Sequence, residues 1–103
     1  MLKKLLLPVV FLFAVSVSHA QPPGWPTDGY VNVSGNEIYF AELGSGPNFI
    51  VYYLDWPTTS GGYVHFPLRV QTIPPGLGAA EIGAYLTALA NSEYGNTPYP
   101  YPD

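Results

Sequence analysis

The stretch GPNFIVYYLDWP, Gly46 to Pro57, decides the fold that this sequence predicts. Its centre, Phe49 to Leu54, is an unbroken run of apolar and aromatic residues with turn-forming residues on both sides. A short run of this kind, rich in β-branched and aromatic residues, is typical of a strand that is buried on both faces. A strand of this kind requires other segments of the chain to cover its two faces.

Two strands are predicted before the central one. Tyr30 to Ser34 and Glu37 to Leu43 are joined at Ser34-Gly35-Asn36, whose Gly-Asn pair tolerates the positive φ angles of a tight hairpin turn. Gly44 to Pro47 then predicts the turn into the central strand. Three consecutive strands with such short links favour an antiparallel meander.

One more strand is predicted after the central one. The composition of Trp56 to Gly62 is typical of a loop. In Tyr63 to Gln71, every second residue is apolar, which is the period of a half-buried strand. Because Pro67 cannot donate a hydrogen bond to a neighbouring strand, this strand is predicted to lie at an edge of the sheet or to carry a bulge.

The hydrophobic period then changes to that of a helix, predicted over Ala79 to Ser92, with Asn91 or Gly95 able to end it. Gly83, inside it, is expected to allow close approach to a strand. The tail Asn96 to Asp103 suits a polyproline II segment or an added edge strand. The predicted fold is α+β: a mainly antiparallel sheet of four or five strands, with an OB-like curl as one alternative, and one C-terminal helix packed on it.

The N-terminus has the pattern of a signal peptide. Met1 to Lys4 is cationic, Leu5 to Val17 is apolar but too short to span a bilayer, and Ser18-His19-Ala20 supplies small residues for cleavage. We expect cleavage between Ala20 and Gln21 and a periplasmic or secreted product, with membrane contact only through the uncleaved signal. The predicted organisation is a signal peptide over 1–20, a Pro-rich arm over 21–29, one domain over 30–95 and a Tyr-Pro tail over 96–103.

Composition excludes one class of function. Removing 20 of the 103 residues leaves 83, which carry one arginine against seven carboxylates, a formal net charge of −6. Such a surface does not bind phosphate backbones, so nucleic acid is not an expected partner. The chain has no cysteine, and so small a domain must gain stability from aromatic packing, a ligand or association with another chain. A homo-oligomer is one such arrangement.

The sequence offers no convincing catalytic or metal-binding set. His65 is the only histidine after the predicted cleavage point, no cysteine supports a metal site, and the carboxylates are scattered singly. We therefore expect no metal, no cofactor and no enzyme activity. The alternative is a small secreted hydrolase that uses His65 with a carboxylate as a general base. Asn32-Val33-Ser34 fits the glycosylation acceptor pattern, which has no meaning in a bacterial protein.

The favoured function is an exported, non-catalytic binding or assembly module for a carbohydrate or a protein partner. For a carbohydrate, Trp25, Trp56 and Tyr63 would stack on the sugar, and Asp55 and Gln71 would be polar partners. His65 and Arg69 belong to the same predicted strand face as Tyr63, and Arg69 would pair with a carboxylate or with an anionic group of a ligand. The exit of the central strand, Asp55-Trp56-Pro57, is the predicted contact site.

The outline of the chain also resembles a known group of proteins. Strands come first and are followed by an alanine-rich helix, AEIGAYLTALANSEYGN. This order resembles small exported bacterial proteins whose fold is similar to toxin B-subunits of the OB type. The resemblance implies a helix across the sheet, Glu81 to Ser92, a final strand from Asn96 to Asp103, oligomerisation and glycan binding. It carries no binding residues across.

Overall fold

The computed structural model describes residues 21–103, which form a four-stranded antiparallel sheet with one helix on one face. The elements are β1 (Asp28–Val33), β2 (Asn36–Gly46), β3 (Phe49–Pro57), β4 (Tyr63–Val70) and α1 (Ala79–Tyr94). The predicted α+β class is confirmed. The predicted signal peptide lies outside the described residues. Within 21–103, no helix combines the length and apolar character that crossing a membrane requires.

The sheet is an open meander. Its strands follow one another in chain order, so β1 and β4 lie at opposite edges. An OB barrel would require the sheet to close, and no pairing between β1 and β4 is found in the described part of the chain. Of the tail, only Tyr101 pairs with the domain, through a single parallel bridge to Thr58. The prolines on either side of Tyr101 lack the donors that a fifth strand would need.

The central strand β3 is covered on one face only. Alternate residues face the helix and are buried, namely Ile50, Tyr52, Leu54 and Trp56. Val51, Tyr53 and Asp55 point to the other face and are half-buried. The prediction of burial on both faces was therefore wrong. Tyr53 looks apolar in the sequence, but tyrosine combines an apolar ring with a hydroxyl that can remain in water.

Several predicted boundaries also shift. β2 continues through Gly44 to Gly46 because a β-bulge at Leu43 restores its pairing with β3, and the turn follows at Pro47 and Asn48. In the first hairpin the positive φ angles belong to Ser34 (52°) and Gly35 (91°), not to Asn36. Two positive φ angles at the central positions are typical of a type I′ turn, which matches the twist of the two strands.

The helix covers the sheet with few buried residues. Ile82, Leu86 and Ala90 are buried between α1 and the sheet. The helix begins after Gly78, whose N–H donates to Glu81 Oε1 at 3.0 Å, and it continues to Tyr94, two residues beyond the predicted end. Gly95 closes it, donating its N–H to the Asn91 carbonyl at 2.9 Å.

The last turns of the helix are tied to both edges of the sheet. The Asn91 amide Nδ2 donates to the carbonyl of Asn32 in β1 at 2.7 Å, and Asn91 Oδ1 accepts the N–H of Ser34 at 2.9 Å. At the other edge, Tyr94 Oη donates to the carbonyl of Pro67 in β4 at 2.5 Å. Asn91 therefore fastens the helix to the first hairpin and does not end it.

The prediction that Gly83 allows the helix to approach a strand closely was wrong. It lies on the exposed side of α1, and a Cβ atom built on it meets no atom within 4 Å. Glycine in a helix interior costs about 1 kcal/mol relative to alanine, because its backbone loses more freedom on folding. Gly83→Ala is therefore expected to raise the free energy of unfolding by about 1 kcal/mol in urea denaturation followed by circular dichroism. A loss of stability would show that this position is more crowded than the structure indicates.

The Pro-rich arm and the Tyr-Pro tail both pack on the domain. Trp25 of the arm is buried and meets Tyr85 edge to face, with ring centroids 6.0 Å apart. The buried Tyr52 hydroxyl donates to the Pro26 carbonyl at 2.8 Å, and burial raises the pKa of Tyr52. In the tail, the Pro98 carbonyl accepts the Trp56 indole N–H at 2.8 Å.

The tail ends on the loop between β3 and β4. The Asp103 carboxylate accepts hydrogen bonds from the hydroxyls of Ser60 and Thr59, and these bonds lower the pKa of Asp103 below its ordinary value. A carboxyl with a lowered pKa contributes stability above its unfolded pKa and loses it as the pH falls through the folded pKa. The contact between tail and loop is therefore present at neutral pH and weakens in acid.

The lowered pKa of Asp103 can be measured by NMR. In a titration from pH 6 to pH 2, the amide NMR signals of Thr59 and Tyr101 should move with a midpoint below about 3.9, the ordinary value for aspartate. Asp103→Asn cannot ionise and should abolish that transition. A midpoint at or above the ordinary value would contradict the hydrogen bonds to Asp103.

Candidate functional site: a tyrosine groove on the uncovered face

The face of the sheet opposite the helix carries a row of aromatic and acidic side chains. Cross-strand pairing places Tyr30 opposite Tyr39, Tyr39 opposite Asp55, and Asp55 opposite His65, so the row crosses all four strands. Pro57 and Tyr63 form the neighbouring pair on the same face. The alternation of each strand thus collects residues that are distant in the sequence on one surface.

Part of this surface forms a groove of about 470 Å³, a volume in the range of small-ligand sites. We call it the tyrosine groove, and its lining residues are Tyr30, Glu37, Tyr39, Asp55, Pro57, Tyr63 and Tyr99. Four of the seven are tyrosines, and Tyr99 comes from the tail, which adds a wall that the sheet alone would lack. Tyr30 and Tyr63 are 64% and 66% exposed, so their rings are free to contact a ligand.

Two aromatic contacts hold the rings of this face in place. Tyr30 and Tyr39 meet edge to face, with centroids 5.5 Å apart. Tyr39 Oη donates to Asp28 Oδ2 at 3.0 Å, and this hydrogen bond is the main reason that the pKa of Tyr39 is raised. Beside the groove, Tyr53 stacks on the ring of His65 at 4.3 Å.

The groove is acidic. Glu37 and Asp55 are its charged lining residues, and no lysine or arginine of residues 21–103 lines it. His65 Nε2 lies 3.2 Å from Asp55 Oδ1, which makes an ion pair when His65 is protonated. Asp55 Oδ1 is inaccessible to water and receives no hydrogen bond of good geometry, so the short distance to His65 is a contact and not a well-aligned hydrogen bond.

The structure brings together three of the predicted site residues. Asp55 and Tyr63 line the groove, and His65 contacts Asp55. Arg69 is on the same face, opposite Val51, but it does not line the groove, and Gln71 follows the end of β4.

The two predicted tryptophans lie elsewhere. Trp25 and Trp56 are buried, at 7% and 1% exposed, so the structure offers neither ring for stacking on a ligand. Trp56 belongs to β3, in which its backbone pairs with Val64. Its side chain lies on the buried face of the strand, and Tyr99 of the tail packs against its ring. Of the predicted contact site Asp55-Trp56-Pro57, only Asp55 and Pro57 line the groove.

Sequence reasoning missed Tyr30, Glu37, Tyr39 and Tyr99 as site residues. A signal for the first three was present: they stand at alternate positions of the first hairpin, on the face opposite Val31, Ile38 and Phe40. Tyr99 had no such signal, since its place depends on the docking of the tail.

The described residues contain no group of three or more histidine, cysteine, aspartate or glutamate side chains placed to hold a metal ion. Within residues 21–103, no serine or threonine lines the groove either. The tyrosine groove is suited to binding by stacking, hydrogen bonding and charge.

Comparisons with protein-family models, with curated proteins and with solved structures gave no match to this chain.

Proposed function

We propose that this protein is an exported, non-catalytic binding module and that the tyrosine groove holds its ligand. The observation that carries the proposal is the grouping of four tyrosines and two carboxylates around one cavity, on the sheet face that the helix leaves uncovered. Exposed aromatic rings gathered in one place, and not scattered singly, favour a recognition surface.

The ring arrangement supports a ligand that inserts between aromatic faces. Tyrosine supplies a large, rigid contact surface and a hydroxyl that can bond to a polar ligand. Tyr39 is already held by Asp28, so binding would not have to order it. For a carbohydrate ligand, the stacking residues would be tyrosines of the groove such as Tyr30 and Tyr63, in place of the buried tryptophans.

The proposal is tested by NMR titration of the purified protein with three panels: neutral saccharides, organic cations and organic anions. At least one panel should shift signals of Tyr63 and Asp55, and Tyr63→Ala should weaken that binding about three- to tenfold. Leu43→Ala is the matched control, because Leu43 is 69% exposed but lies outside the groove. If none of the panels shifts the groove signals, the proposal is overturned.

The second candidate, a small secreted hydrolase, is favoured by one observation: the 3.2 Å contact between His65 Nε2 and Asp55 Oδ1. A carboxylate in this position can orient an imidazole that removes a proton from water. We expect His65→Ala to abolish any hydrolysis found with ester or glycoside substrates. Any activity that survives His65→Ala unchanged would exclude this mechanism.

Self-association is a separate proposal for the same face, because a second copy that covers the groove would compete with a ligand there. The helix covers one face of the sheet, whereas the other face exposes Tyr30 and Tyr63. Covering them would stabilise a small domain that has no disulfide. Sedimentation equilibrium should show dimers or larger species at high protein concentration, and a monomer at all concentrations would contradict this.

A further inference from the structure

We infer that the tyrosine groove binds an alkylated ammonium group, such as the trimethylammonium of choline. The inference rests on the proposed binding function and names the chemistry of its ligand. Two independent features carry it: the charge of the groove and the number of aromatic rings around it.

The charge of the groove favours a cation. Glu37 and Asp55 line it, and Asp28 lies beside it as the acceptor of the Tyr39 hydroxyl. In the part of the chain that the structure describes, no lysine or arginine lines the groove. Opposite charges attract more strongly in a partly closed site than in bulk water, because the effective dielectric constant is lower. An anionic ligand would be repelled by the same carboxylates.

Two basic side chains lie near the groove. His65 contacts Asp55, and its protonation would offset one of the carboxylates. Arg69, the single arginine of the chain, is paired in register with Val51, four residues along β3 from Asp55. Glu37 has neither of them as an ion-pair partner in the described part of the chain. The groove therefore retains an acidic wall even when His65 is charged.

The aromatic lining favours an alkylated ammonium over a bare one. A cation within about 6 Å of a tyrosine ring is attracted by the negative face of the ring, and recognition of quaternary ammonium groups by several rings together follows from this. Tyr30, Tyr39, Tyr63 and Tyr99 surround one cavity. Methyl groups spread the positive charge and bury apolar surface against these rings, whereas a bare ammonium loses strongly bound water.

The decisive comparison uses two probes of equal shape. In 3,3-dimethylbutan-1-ol, a neutral quaternary carbon replaces the charged nitrogen of choline. In NMR titrations of the purified protein, choline is expected to bind at least about tenfold more tightly than the neutral alcohol. Raising the salt concentration from 0.02 M to 0.5 M should reduce this difference, because salt screens the carboxylates. Equal binding of the two probes would overturn the inference.

Single substitutions test the negative charge and the aromatic rings of the groove separately. Glu37→Gln should weaken choline binding about threefold at low salt, while Glu93→Gln, on the exposed side of α1, should leave it unchanged. Tyr30→Ala should weaken it about three- to tenfold, with Leu43→Ala as its control. If Glu93→Gln weakens choline binding as much as Glu37→Gln does, the binding is non-specific attraction to an acidic protein, which also overturns the inference.

Further probes distinguish the source of the ammonium group. Phosphocholine carries an anionic phosphate that the groove carboxylates repel, so it should bind more weakly than choline, and tighter binding of phosphocholine would contradict the inference. A trimethyllysine peptide that binds more tightly than choline would assign the ligand to a modified protein. If neutral saccharides bind in the groove and choline does not, the inference fails while the proposed binding function stands. If no probe binds, both fail.

Discussion

Replacing Trp56 with alanine is expected to lower the free energy of unfolding by about 3–5 kcal/mol. Trp56 is 1% exposed, and its ring contacts Phe66, Tyr94 and Tyr99 at centroid distances of 5.6, 6.2 and 6.0 Å. Its indole N–H also donates to the Pro98 carbonyl. Trp56→Ala therefore leaves a large cavity, and it removes the side chain that contacts the strand, the helix and the tail together.

A loss of this size is a large part of the total free energy of unfolding. A domain of about 83 residues has a total stability of roughly 4–12 kcal/mol, so Trp56→Ala should unfold at a much lower urea concentration than the unchanged protein. Urea denaturation followed by circular dichroism measures the change, because the variant loses a fluorescent ring. Trp56→Phe, which keeps an aromatic ring but loses the donor, should cost less than half as much. If Trp56→Ala costs under 1 kcal/mol, the packing of the tail on β3 is contradicted.

The second large effect is expected for Leu86→Ala, at about 2–5 kcal/mol. Leu86 is 1% exposed and lies between Ile82 and Ala90 on the one buried stripe of α1. With so few anchoring residues, the helix has little other packing through which to close the cavity. The measurement is again urea denaturation, in which the midpoint should fall with little change in slope.

Leu43→Ala is the matched control for Leu86→Ala, since it makes the same change at a residue that is 69% exposed. Its effect should remain within about 0.5 kcal/mol. Similar losses in the two variants would mean that the helix is not anchored by its buried stripe.

The fold was predictable where the sequence pattern and the burial coincide. In Tyr63 to Gln71 the alternation of polar and apolar residues is clear, and β4 was found within one residue of its predicted end. In β3 the sequence pattern did not reveal that one face is uncovered, because the aromatic ring of Tyr53 continues the apolar run although this residue lies on the half-buried face. Trp56 was assigned to a loop because of its neighbours, whereas pairing with Val64 and docking of a tail that begins 40 residues later keep it in the strand.

The candidate site was predictable in part for the same reason. Tyr63 and His65 belong to a predicted strand, and Asp55 directly follows the predicted central strand, so their meeting follows from the pairing of these two strands. The two tryptophans were proposed for stacking because of their size, but large rings are also what a small core without disulfides requires. Tyr99 could not be found from a local pattern, since its position depends on hydrogen bonds between the tail and the distant β3 end.

The hydrogen bonds from the end of α1 to the sheet edges have a consequence for aggregation. An exposed edge strand can pair with another molecule through its free backbone groups. Here Asn91 occupies the Asn32 carbonyl at one edge, and Tyr94 occupies the Pro67 carbonyl at the other. The end of the helix thus occupies one backbone acceptor at each edge, which makes strand pairing with another molecule less favourable at these two positions. Opening of the last helical turns would release these two acceptors together, so a local loss of helix would become a starting point for cross-β assembly.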